Sequence, residues 1–184
     1  MNRNLLTITL AITLVACKQV NDERVPSYPV RMEFNPTVWE LYGVHTYGEY
    51  RIFDHYTNTP AGYFNYDPDA YTGYGGILLV SGYNFETGDY NSPIAYDRAC
   101  PYENNRDAAL LQFDEDTFEA FCPNCNSRFD VCEGAGVPVS GPAAERNFAL
   151  RRYTVSPRSG GGYIISNVTI RNVACFFVRD KRGT

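Results

Sequence analysis

Histidine is nearly absent: the chain holds two, His45 and His55, in 184 residues. Neither has a cysteine, histidine or carboxylate at a metal-ligand spacing, so both read as surface residues. No Ser/His/Asp arrangement is found, nor the two-histidine, one-carboxylate iron site. No acid pair is placed by a motif for glycosidase-type work. With no catalytic constellation, the chain does not read as an enzyme. Basic blocks are lacking too. Lys and Arg number 16 against 21 acids, a net charge of −5, and the signs are mixed, which leaves no electrostatic footprint for nucleic acid. The basic C-terminus, Arg179 to Arg182, reads as a solvated tail. No apolar run is long enough to span a bilayer. Helical periodicity is weak, and the only tryptophan, Trp39, reads as a core aromatic.

The N-terminus is a leader rather than fold. Arg3 gives a short positive region, Leu5 to Val15 a short apolar one, and Leu14-Val15-Ala16-Cys17 closes it. That ending resembles a bacterial lipobox. The resemblance implies a signal peptide over 1–17, removed so that Cys17 becomes a lipid-modified N-terminus. Each acyl CH₂ buried in a membrane adds about 0.8 kcal/mol. Residues 18–25 then read as a polar tether and 26–184 as one domain. The implied address is the bacterial cell envelope, outside the cytoplasm and anchored by lipid, with the outer membrane favoured.

Strand signals dominate residues 26–184. Val30, Met32 and Phe34 alternate along Tyr28–Phe34, and Val38–Tyr42 is expected to continue as strand after Pro36. Gly43 to Tyr74 carries seven tyrosines and reads as a hairpin near 50–56 with a long loop after it. It is either an insertion tacked onto a β core or a face that presents tyrosines to a partner. Gly75-Gly76-Ile77-Leu78-Leu79-Val80 is expected as a buried central strand. Ser81 to Ser92 reads as a turn-rich connection, and Leu110 to Phe121 as a hairpin with an acidic tip at Asp114-Glu115-Asp116. That tip fits no calcium loop. Phe129–Val131 reads as a short strand. Phe148–Val155 and Tyr163–Ile165 form a hairpin around Ser159–Gly162, and 168–173 and 175–178 complete the sheet. The sequon at Asn167 is discounted because the lipobox is bacterial.

Cysteine carries the chemistry. Besides Cys17 there are Cys100, Cys122, Cys125, Cys132 and Cys175, an odd number for an oxidising compartment. The stretch from Cys100 reads C-P-Y-E, then Cys122-Pro123-Asn124-Cys125-Asn126-Ser127-Arg128-Phe129-Asp130, and later Gly141-Pro142-Ala143. It resembles the Rieske iron–sulfur domain, whose pattern is C-x-H, then C-x-x-H with G-S-x-F-D, then G-P-A. The resemblance implies an all-β fold: an antiparallel β-sandwich with a small, rubredoxin-like, cysteine-bearing subdomain over about 99–143. It also implies that Cys100, Tyr102, Cys122 and Cys125 stand at the ligand positions, with Cys100 and Cys122 close together. Ser127 stands where the family's serine donates a hydrogen bond to the cluster, and Val137-Pro138 in the loop that covers it. Both histidine positions are changed, to Tyr102 and Cys125, so a standard Rieske cluster cannot form.

Three outcomes stay open. The first is a non-standard metal site, [2Fe–2S] or zinc, since Cys122-Pro123-Asn124-Cys125 looks like a zinc or rubredoxin knuckle. The second is a cofactor-free fold with disulfides, Cys100 and Cys122 being poised to bond. The third is a thiol-redox pair at Cys122 and Cys125. Phenol is a hard, weakly acidic ligand, so Tyr102 suits a soft metal poorly. Cys132 and Cys175 read as buried and inert. The function expected is an envelope-anchored electron-transfer or metal-binding domain with a redox partner. The alternative is a binding or structural lipoprotein on a cofactor-free scaffold.

Overall fold

The computed structural model describes residues 20–54, 72–85 and 87–167. The leader and Cys17, His55 with the rest of 55–71, the strands expected beyond Asn167, and Cys175 lie outside the described residues.

The described chain is all-β, built on two antiparallel sheets. The larger contains β1 (Arg31–Phe34), β2 (Tyr50–Phe53), β3 (Ile77–Asn84), β4 (Asp89–Asp97), β9 (Arg152–Pro157) and β10 (Tyr163–Ser166), ordered β1-β10-β9-β4-β3-β2. The smaller runs β5-β6-β7-β8: β5 (Gln112–Asp114), β6 (Glu119–Phe121), β7 (Arg128–Asp130) and β8 (Val137–Ser140). Two short helices, α1 (Pro36–Tyr42) and α2 (Pro142–Arg146), complete the described elements. None of the described helices is long and apolar enough to cross a membrane.

The β3 run is apolar at consecutive positions because both its faces are covered. Ile77 through Val80 are fully buried. Side chains alternate across a strand, so Leu78 and Val80 join a core with Tyr96, Phe129, Val131, Cys100 and Cys122. Ile77 and Leu79 join a second core with Phe34, Trp39 and Phe53 on the other face. The small sheet is therefore packed on one side of the large one. Main-chain contact fastens it: Tyr83 N–H donates to Cys132 O at 2.7 Å, and the Tyr96 hydroxyl to Val131 O at 3.0 Å. Gly82 permits this approach, since a Cβ there would sit 2.4 Å from Cys132 O.

Three expectations change. Val38–Tyr42 is helix, not strand. The Asn35 side chain accepts the Val38 N–H at 2.9 Å and Pro36 opens the first turn, a capping arrangement that favours helix. Trp39 is buried, its ring 4.3 Å from that of Tyr163. Ser81 to Ser92 is mostly strand, with β3 and β4 extending into it. Residues 20–25, the described part of the expected tether, lie on the domain. Asn21 bridges Phe148, Arg24 stacks over the Phe148 ring, Arg151 Nε donates to Val25 O at 2.6 Å, and Val25 is fully buried. Charged and polar residues hid one apolar side chain that the core takes.

One buried carboxylate positions the chain for the site. Asp97, the last residue of β4, accepts the Tyr153 hydroxyl at 2.5 Å and the N–H groups of Ala99 (2.8 Å), Tyr74 (2.9 Å) and Gly75 (3.0 Å). Burial pushes its carboxyl above the ordinary value, and the donors pull it back in part. Next to it, Arg98 pairs with Asp54 and donates to Leu111 O at 2.9 Å. Asp97→Ala would strand several buried donors, at about 1–3 kcal/mol each before relaxation. We expect it to lower unfolding free energy by about 3 kcal/mol in urea titrations, against about 1 kcal/mol for Tyr153→Phe, which removes a single bond.

Candidate metal centre

Two loops meet at the edge of the small sheet. The first comes directly after Asp97 and Arg98 and begins at Cys100; the second joins β6 to β7 and begins at Cys122. Each is a knuckle of the form C-P-x-x-N: Cys100-Pro101-Tyr102-Glu103-Asn104 and Cys122-Pro123-Asn124-Cys125-Asn126. Their backbones match. Asn104 N–H donates to Cys100 O at 2.8 Å, and Asn126 N–H to Cys122 O at 2.9 Å. Both asparagines are left-handed, with φ of 49° and 57°, a conformation that asparagine tolerates better than most residues. The N–H groups of Glu103 and Tyr102 favour a thiolate on Cys100, and those of Cys125 and Asn124 favour one on Cys122. The loops are tied together where Asn124 Nδ2 donates to Ala108 O at 2.9 Å and Cys100 N–H to Ala109 O at 3.0 Å. This repeat was visible in the sequence; reading the loops as C-x-H and C-x-x-H hid it.

The three sulfurs of Cys100, Cys122 and Cys125 all lie within 4.8 Å of one another. Cys100 and Cys122 are fully buried, and Cys125 partly so. Cys100 and Cys125 sulfurs are 3.7 Å apart, and all four described cysteines are free thiols. The expected closeness of Cys100 and Cys122 is present, while the disulfide between them is not formed. Cys132 is buried outside the cluster, and burial, with Asp130 and Glu133 nearby, pushes its thiol up to about 12.

Electrostatically the cluster favours one thiolate readily. The neighbouring Cys100 thiol, helped by the Cys125 and Asn124 N–H groups, draws the Cys122 thiol down to about 6 against the cost of burial. Cys100, beside Cys122 and desolvated, is pushed far up. Ser127 stands beneath Cys125. Its Oγ is 3.2 Å from the Cys125 sulfur and accepts the Ala143 N–H at 3.0 Å. The Gly141-Pro142-Ala143 turn makes this contact possible: a Cβ at Gly141 would lie 2.7 Å from Ser127 Cα, and its φ is 78°.

Other expected site features fall elsewhere. Tyr102 is half-buried against the core, with the Arg146 guanidinium 5.7 Å from its ring centre. Val137-Pro138 is not a covering loop. It lies in β8, the edge strand of the small sheet, where Pro138 faces Phe129 next to a bulge; an edge is where a strand tolerates proline. Of the acidic tip, Asp114 pairs with Arg128 at 3.0 Å, and Arg128 also reaches Glu119 of β6 at 2.9 Å. His45 is exposed.

The chain matches no protein-family model and no curated protein. The Rieske resemblance therefore rests on the residues quoted for it.

The donor set does not fit a Rieske [2Fe–2S] cluster. Both imidazoles are missing. With Cys100 and Cys122 on one iron, Cys125 would belong to the other, and its sulfur would stand across the cluster from theirs. It stands instead at 3.7 Å from Cys100. Thiolates around one tetrahedral ion with metal–sulfur bonds of about 2.3 Å are separated by about 3.8 Å. The arrangement fits three corners of a single soft or borderline ion.

For the metal-free, reduced chain we expect one thiolate near pH 7, read as ultraviolet thiolate absorbance rising around pH 6. Absorbance that first rises only near pH 9 would contradict the lowering of the Cys122 thiol.

Proposed function

We propose that this chain is a lipid-anchored protein of the bacterial envelope whose small sheet holds one metal ion on Cys100, Cys122 and Cys125. The convergence of three sulfurs within 4.8 Å on two matched knuckles carries the reading. Disulfide formation alone does not require a third thiol at the same point, nor backbone N–H groups that favour thiolate on Cys100 and Cys122. Such N–H donors stabilise thiolates, the form that binds metal. Iron at this site would make a one-electron carrier serving a redox partner; zinc would make a structural clasp between the two loops. Neither role needs a catalytic group.

A second reading keeps one specific observation. Cys100 and Cys125 are near enough for a small shift to join them, and an oxidising compartment favours pairing. The protein would then be a cofactor-free scaffold acting through its surface. Anaerobic purification with metal analysis and thiol counting separates the readings. The metal-site reading expects about one zinc or iron per chain, lost in Cys100→Ser, Cys122→Ser and Cys125→Ser and kept in Cys132→Ala. Metal-free protein with two thiols missing from the count favours the scaffold.

The anchor depends on Cys17. The Cys17→Ser protein should leave the membrane fraction and appear in the soluble one. Continued membrane association through a high-salt wash would contradict lipidation at that residue.

A further inference from the structure

The metal-site reading leaves a fourth corner, and the matched knuckles point to the residue placed to reach it. Cys125 occupies the fourth place of the second knuckle. Its side chain turns into the cluster. The fourth place of the first knuckle is Glu103. The backbone bond and the left-handed asparagine at the fifth place are common to both loops. Tyr102, by contrast, is the counterpart of Asn124, whose side chain is committed to Ala108 O rather than to the cluster.

Resting on that reading, we infer that Glu103 is the fourth ligand of the ion and that Tyr102 is not a ligand. The Glu103 side chain is exposed, and its carboxylate lies outside the group of three sulfurs. It carries two more side-chain bonds of reach than the cysteine at the matching place. Rotation about those bonds is the movement that would bring an oxygen to the ion. Carboxylate oxygen at about 2.0–2.2 Å is an ordinary zinc ligand. A carboxylate is an anionic oxygen donor, whereas a phenol must surrender its proton to bind. The result is a three-thiolate, one-carboxylate site whose oxygen corner faces solvent.

The probe is Co²⁺, with Zn²⁺ in competition, added to the full-length reduced chain in detergent. The wild type should take up one Co²⁺ with the visible spectrum of a four-coordinate, thiolate-rich site. Glu103→Gln should weaken Zn²⁺ binding by about 10–100-fold and lower the intensity of the cobalt bands as water enters. Glu103→Cys should bind more tightly and raise the thiolate-to-cobalt charge-transfer intensity by roughly a third, four thiolates replacing three. Tyr102→Phe should leave affinity and spectrum unchanged. If Glu103→Gln and Glu103→Cys both keep the wild-type spectrum and affinity while Cys125→Ser loses the metal, the ligand assignment is overturned and the metal site stands. Loss of the spectrum in Tyr102→Phe also overturns the assignment. Failure of the reduced wild type to bind either metal overturns both.

Discussion

The buried carboxylate of Asp97 is the constraint on which the rest of the structure depends. It sits where β4 ends and the first cysteine loop begins, and it gathers three main-chain N–H groups and one hydroxyl. Those donors come from the Tyr74-Gly75 turn ahead of β3, from Ala99 beside Cys100, and from Tyr153 on β9. A buried charge is tolerable only with such a set of partners. Once it is satisfied, the direction in which Cys100 enters the site is set by the large sheet, not by the loop. The Arg98 contacts with Asp54 and Leu111 repeat the same tie toward β2 and β5.

From this anchor the site is built in two short steps. The Cys100 loop is fixed from behind by the large sheet, and the Cys122 loop is carried by the β6–β7 hairpin packed on that sheet through Phe129 and Val131. Nearby backbone N–H groups then favour thiolate on Cys100 and Cys122. This is preorganisation: the protein meets the cost of bringing thiolates together through folding, so that metal binding need not. The same closeness is a hazard in an oxidising compartment, since sulfurs held at 3.7 Å are also near to pairing. On the proposed reading, a bound ion and a disulfide would be rival ways to neutralise one cluster, and occupancy by metal would protect the thiols.

Much of this was legible in the sequence, where local chemistry and fold agree. Glycine-bounded Ile77–Val80 marked the central strand, and the acid-tipped hairpin delivering Cys122 is present as β5 and β6. The two cysteine loops do converge. The failures have definite causes. Val38–Tyr42 carries β-favouring residues, yet Asn35 and Pro36 cap a helix and decide the matter. Pro138 looked like loop because proline breaks a ladder, but an edge strand needs no donor on its open side. Val25 was hidden among charged neighbours, and only the three-dimensional core reveals its burial. Within the site, a two-histidine template drew attention to the third residue of the first loop. The chain's own C-P-x-x-N repeat points to the fourth.

X-ray absorption spectroscopy of the anaerobically purified, metal-loaded full chain tests the central claim most directly, because it counts neighbours by element and distance. A single ion on Cys100, Cys122, Cys125 and one carboxylate predicts three sulfurs at about 2.3 Å and one oxygen at about 2.0–2.2 Å, with no second metal nearby. A metal–metal vector, or a first shell with fewer than three sulfurs, would contradict it.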